Sequence, residues 1–255
     1  MCLETISQIY HENDELKITE KTLGFFEVIK GESCQISCSY RNSQEHIFIL
    51  DGGWRGLIAF DPMSVKIIKG EINLFKINLM KLAKLQVFID YATDNIETDY
   101  IMDSCSISFS KEIKQINPEV MECWLLQQAM LPEDEADPIV SFLRHTECYG
   151  LVHFLLSAAN DNNQCLQQLC LRYGLSAAHF RRLTRHALGH TTKVTLREWR
   201  MTKAILAFIN DPKNMTDVAF AHGYSSLSHF SNDVKKMLGM TPRALRKSIL
   251  DVAMK

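Results

Sequence analysis

Three arginines carry the most pointed chemistry in this 255-residue chain: Arg181, Arg182 and Arg185, in Ala177-Ala-His-Phe-Arg-Arg-Leu-Thr-Arg-His-Ala-Leu188. Residues three and four apart on a helix share a side, so with Phe180 and Leu183 turned to a core, Ala178, Arg181, Arg182 and Arg185 face outward. A guanidinium fork spans O6 and N7 of guanine. Arg181 and Arg182 therefore suit a base edge, and Arg185, at the far end of the helix, suits a phosphate. A second set, Leu227, Ser228, Ser231, Asn232 and Lys235, stands outward around Phe230 and Val234 and holds one cation against three.

The elements that must position these two sets are near copies of one another. Leu166–Gly174 lies over Met215–Gly223, with Leu166 and Leu169 on Met215 and Val218, and the small Cys170 on Ala219. Leu175-Ser176 then matches Tyr224-Ser225 and, with one extra residue in the second copy, His179-Phe180 matches His229-Phe230. Both copies close on Leu-Gly, at Gly189 and Gly239. Each copy reads as a short helix, a turn through glycine, a capping serine (Ser176 or Ser225) and a second helix ended by a C′ glycine. Two helices joined by such a turn form the helix-turn-helix that places its second helix in a DNA major groove. Between the copies, 193–209 lacks Gly and Pro and keeps apolar residues near helical spacing, which predicts a connecting helix. At about 1.5 Å per residue it is a rod of roughly 26 Å, which with its flanking turns suits two heads about 34 Å apart, one DNA turn. Ser176 and Ser225 at the helix starts, and Arg243, Arg246 and Lys247 in a final capped helix, are candidates to brace the sugar-phosphate backbone. His179 and His229, on different helices, read as structural or phosphate-contacting rather than metal-binding.

These residues resemble the double helix-turn-helix of AraC-type transcription regulators, through Arg200-Met201 with Ala204, Val218-Ala219, Gly223-Tyr224, Thr241-Pro242 and Leu245-Arg246. Within that family the wording is similar to the InvF/MxiE-like activators of type III secretion genes, through the strings 147–156, 173–183, 187–189 and 223–231. The resemblance covers about residues 138–250, and the front half shows no comparable match. It implies base contacts at Ala178, Arg181 and Arg182, secretion-effector genes as targets and a type III secretion chaperone as co-activator, with RNA polymerase recruited by contact. Asn232 departs from the family's common arginine, so the first head is expected to dominate affinity.

Charge divides the chain in the same way. From Ile139 onward there are 16 Lys and Arg against 7 Asp and Glu, a net of +9, while the first 138 residues hold 12 against 23, a net of −11. A basic back half behind an acidic front half suits a DNA-binding domain joined to a regulatory one. Glu133-Asp-Glu-Ala-Asp-Pro138 reads as the linker, with Asp137 capping the next helix, expected to run to Ala158. The expected domains are an α+β front domain (1–132), an acidic linker (133–138) and a mainly α double helix-turn-helix domain (139–255).

In the front domain, β-prone runs at 25–29, 34–38 and 46–50 precede Asp51-Gly-Gly-Trp54 and Leu57–Phe60, which predicts a hairpin. Residues 65–74 continue in β style, 79–91 turn helical, 105–109 alternate, and Pro118 opens a helix to Met130, suiting a small sheet with one or two helices. No phosphate loop, nucleophile elbow or His-x-x-x-His pair is present, which argues against an enzyme, and no cofactor or metal is expected. The eight cysteines include no Cys-x-x-Cys pair, and Cys34 and Cys38 are too loosely spaced for ordinary zinc ligands. The start has no secretory signal and no apolar run spans a bilayer, so a cytoplasmic protein is expected. The front domain suits a partner protein, a metabolite or its own twin. The alternatives to an activator are therefore a small-molecule-sensing regulator of the same fold and a protein-binding adaptor with little DNA affinity.

Overall fold

A computed structural model describes residues 7–29, 33–39, 45–93, 105–108, 118–131, 137–158, 166–210 and 214–253. It divides into two compact units, Met1–Gly150 and Leu151–Lys255.

The front unit is built on two antiparallel sheets rather than one. The first has the order β1 (Ser7–Tyr10), β8 (Ile72–Lys76), β3 (Thr22–Val28), β6 (Arg55–Phe60), β9 (Cys105–Ser108). The second has the order β2 (Glu15–Ile18), β7 (Met63–Lys69), β4 (Cys34–Ser39), β5 (His46–Leu50). Alternation sets the core. Phe26, Val28, Ile58, Phe60, Ile72 and Leu74 of the first sheet cluster with Cys34, Ile36, Cys38, Val65 and Ile67 of the second. Strand residues alternate faces, so the equally buried Leu23, Phe25, Leu57 and Ala59 lie on the opposite side of the first sheet. There α3 (Asp137–Arg144) packs on β6 and β9, and α1 (Leu79–Thr93) packs on α3 and on α2 (Pro118–Met130).

The expected hairpin at Asp51–Trp54 is corrected. The turn exists, with the Trp54 N–H donating to the Asp51 carbonyl at 3.0 Å, but among the described residues β5 pairs only with β4 while β6 pairs with β3 and β9. Burial supplies the reason. Five of the six β6 residues are buried, which demands a central place with cover on both faces. Ile47 and Ile49 of β5 are 56% and 65% exposed, which an edge strand tolerates.

The unit boundary also differs from the expected linker, of which residues 132–136 lie outside the described residues. The expected single helix to Ala158 is two, α3 and α4 (Glu147–Ala158), broken at His145-Thr146. The Thr146 hydroxyl accepts from the Tyr149 N–H at 3.2 Å and so caps the second. The break lets α3 and the start of α4 close on the front unit around Asp90, a carboxylate 1% exposed on α1. Arg144 donates to it from Nε at 2.9 Å and Nη2 at 2.6 Å, Tyr149 from its hydroxyl at 2.6 Å and Gln86 from Nε2 at 2.9 Å. The hydrogen bond to Asp90 raises the Arg144 pKa, while burial, ahead of that bond, raises the Tyr149 pKa. Ile139, Phe142 and Leu143, and beyond the division Leu151, Val152, Leu155 and Leu156, are all buried, as helical periodicity predicts.

The back unit contains α5 (Leu166–Tyr173), α6 (Ala177–Leu188), α7 (Thr192–Asn210), α8 (Met215–Ala221), α9 (Leu227–Leu238) and α10 (Pro242–Ala253). The connecting helix is α7, 19 residues and roughly 28 Å long. It packs on α6, α8, α9 and α10. Among the described residues no helix is long and apolar enough to cross a membrane.

Candidate nucleic-acid interface

Helix α6 is defined at both ends by its own sequence. The Ser176 hydroxyl accepts the His179 N–H at 3.3 Å. At the other end Gly189 takes φ +76°, open to glycine without strain, and its N–H donates to the Arg185 carbonyl at 2.9 Å. Between the caps, Phe180, Thr184 and Ala187 are buried. Phe180 meets Phe154 and Tyr173 edge-on, with ring centroids 6.4 and 5.6 Å away. Leu183 is half-buried, and Ala178, Arg181, Arg182 and Arg185 are exposed, as the spacing predicts. No carboxylate pairs with these three arginines among the described residues, so their charge is unspent within the unit.

Helix α9 repeats the design with one shift. Gly239, at φ +74°, donates its N–H to the Lys235 carbonyl at 2.9 Å, and Phe230 and Val234 are fully buried. The cap is Ser226, which accepts the His229 N–H at 3.1 Å, and not the expected Ser225. The second copy's extra residue falls before the cap, and the exposed Ser225 instead lies 3.4 Å from Nδ1 of His229. Ser226→Ala should therefore cost about 1 kcal/mol and Ser225→Ala less than about 0.5 kcal/mol. Urea unfolding of both variants checks this, and equal losses would refute the shifted cap.

On the outward face Ser228, Asn232 and Lys235 are exposed, whereas Ser231 is half-buried and Leu227 packs against the core with Met201, Tyr224 and Phe230. The reason for Leu227 is its place at the first helical position, beside the turn that carries Tyr224.

Sequence reading missed the tie that orients α9. Arg197 of α7 reaches Asp233 through Nε to Oδ2 at 2.9 Å and through Nη2 to Oδ1. That hydrogen bond holds the Asp233 carboxyl below its ordinary pKa, although burial works against it. The partners lie 36 positions apart, so no local pattern marks them. Of the three cations of α10, Arg243 and Lys247 are exposed, but Arg246 is half-buried with its guanidinium 5.2 Å from the Phe208 ring centroid. That packing leaves Arg246 only partly exposed.

Among the described residues no three His, Cys, Asp or Glu side chains gather as metal ligands. Burial pushes the Cys34 thiol up to about 11, away from the thiolate a metal needs.

A family model described as a helix-turn-helix domain matches residues 169–248. Invasion protein InvF of Salmonella typhimurium is 33% identical over 216 residues, covering 84% of this chain and 98% of InvF. Transcriptional regulator MxiE of Shigella flexneri is 31% identical over 176 residues, covering 67% of this chain and 83% of MxiE. The 216-residue match reaches well into the front unit, beyond the strings at 138–250. Among solved structures, a regulator with an AraC-type DNA-binding domain from Chromobacterium violaceum aligns with 38% of this chain and 90% of its own, at 23% identity and a TM-score of 0.36.

Proposed function

The chain belongs to the AraC-type transcriptional regulators, in the group of InvF and MxiE, and from that premise we propose that it is a sequence-specific DNA-binding activator whose α5–α6 and α8–α9 pairs are its two helix-turn-helix units. The observation that carries this is the arginine face of α6, capped at both ends, anchored by Phe180 and free of internal carboxylates. Arg181 and Arg182, with Ala178 beside them, read bases, and Arg185 holds a phosphate. In α9 the readers are Ser228, Asn232 and Lys235, with Leu227 and Ser231 at the margin. Ser176, Ser225, Arg243 and Lys247 contact the backbone. The length of α7 supports two heads about one DNA turn apart on a single face.

The test is duplex binding by fluorescence anisotropy over a salt series. Affinity should fall steeply as salt rises, through release of counterions. Little affinity at any salt would favour the adaptor reading. Arg182→Ala should cost about 1–3 kcal/mol and relax specificity at one base pair. Asn232→Ala should cost less. The reverse ranking across matched promoter variants would refute the dominance of the first head.

Kinship with InvF and MxiE extends the reading to secretion-effector promoters in the bacterial cytoplasm, with RNA polymerase recruited by contact and a secretion chaperone docking on the front unit as co-activator. Promoter activation that is the same with and without the chaperone would remove the co-activator. In the small-molecule alternative a metabolite held by the front unit sets DNA affinity, and ligand-induced thermal stabilisation would favour it. One cavity there, beside Lys17, Phe26, Phe60 and Lys76, holds about 70 Å³, smaller than the roughly 300–1,000 Å³ of ligand pockets.

A further inference from the structure

The connecting helix is more than a spacer. A cleft of about 690 Å³ opens between α6 and α7, floored by Leu169, Thr184 and Leu196 and walled by Arg181, Arg182, Arg185, Lys193 and Arg200. Its geometry follows from helical spacing. Arg181 and Arg185 stand four apart on α6, while Lys193, Leu196 and Arg200 stand three and four apart on α7, so each set shares one side of its helix. The two helices are pinned beside the cleft by a 2.9 Å hydrogen bond from the buried Thr192 hydroxyl to that of Thr184.

What marks this cleft is the number of cations gathered around one cavity. Three arginines elsewhere are paired, Arg144 with Asp90, Arg197 with Asp233 and Arg55 with Glu27, and Arg172 and Arg246 lie over aromatic rings. None of the five cleft cations has a carboxylate partner among the described residues. Lys193 moreover sits in the first turn of α7, where a cation opposes the helix dipole and no acidic residue compensates it. Five uncompensated cations converging on one concavity repel each other until an anion enters. With Arg181 and Arg182 turned to bases, a phosphate group satisfies the other three, because its oxygens accept from several donors at once.

We propose that Lys193 and Arg200, with Arg185 opposite, form a phosphate clamp for the DNA strand bordering the groove that α6 enters. The proposal rests on the DNA-binding reading and adds to it a third contact element, the connecting helix. Lys193 and Arg200 position the duplex and read no base, so their loss weakens all sequences by the same factor. The same phosphate chemistry could instead come from a free polyphosphate, and the experiment separates the two.

The test compares wild-type full-length chain, Lys193→Gln and Lys193→Gln/Arg200→Gln in anisotropy titrations of a matched and a mismatched duplex over a salt series. The slope of log affinity against log salt should shrink by about 1 for the single variant and about 2 for the double one, with the matched-to-mismatched ratio unchanged. The exposed control Lys66→Gln should leave the slope as it is. The single variant changes one exposed side chain, which keeps the result readable if the double variant melts early. Wild-type binding with an unaltered slope in Lys193→Gln and in a folded double variant overturns the clamp alone, whereas wild-type chain that ignores duplex overturns the DNA reading together with it. Inorganic tripolyphosphate should displace duplex only at about millimolar concentration, as a general competitor for phosphate-binding cations. Displacement at micromolar tripolyphosphate would assign the cleft to a free ligand and overturn the backbone assignment.

Discussion

Asp90→Ala is expected to destabilise the front unit by about 3–5 kcal/mol, the cost of leaving one partner of a buried ion pair without the other. Asp90 is 1% exposed and the Arg144 side chain only 21%, so water cannot take over the lost contacts. The substitution strands four donor groups, two on Arg144 and one each on Tyr149 and Gln86. The effect should appear in urea unfolding as a transition at lower denaturant. A double variant, Asp90→Leu with Arg144→Met, should regain most of the loss, because replacing both charges by apolar groups removes the desolvation cost along with the attraction. A single variant that loses less than about 1 kcal/mol would show that the carboxylate does not hold α3 and α4 to α1.

Phe180→Ala is expected to have an effect of similar size in the other unit, about 3–5 kcal/mol for deleting a fully buried aromatic ring. Phe180 is 0% exposed and sits in ring contact with Phe154 and Tyr173, so its removal opens a cavity under the arginine face. The functional consequence differs in kind from that of Arg182→Ala. Truncating the arginine removes one base contact from a helix that stays in place, whereas truncating Phe180 removes the anchor that aims Arg181, Arg182 and Arg185 together. Phe180→Leu keeps most of the volume and should retain most of the binding. The check is paired urea unfolding and duplex titration of both variants. Phe180→Ala protein that is folded and binds duplex as wild type would show that the face does not depend on this anchor.

The two substitutions mark what local pattern can and cannot reveal. Phe180 was legible: a core face at Phe180 and Leu183 leaves Ala178, Arg181, Arg182 and Arg185 outward, and the serine and glycine at its ends specify where α6 begins and stops, although Thr184 and Ala187 are more deeply buried than Leu183. The same logic located α9 but misplaced its cap by one residue. Serines stand at both 225 and 226, and only the backbone decides which hydroxyl meets the His229 N–H. Asp90 was not legible. Nothing within a helical turn of it announces a partner 54 positions away.

What the amino-acid sequence determined by itself is therefore what is written in short-range physics: the twin helix pairs, the Gly- and Pro-free helix between them, the outward arginines, and the division into an acidic front and a basic back. Caps, periodicity and the positive φ of glycine are all settled by residues within a few positions of each other. Only the tertiary structure decided that β5 and β6 part into different sheets across a good turn, that α3 belongs by packing to the front unit, that Arg197 holds Asp233, and that Lys193 and Arg200 share a cleft with α6. Each of these is a choice among partners distant in sequence. Such choices are made by the burial of both faces of a strand, or of a charge with its counter-charge, and that energy exists only once the chain has folded.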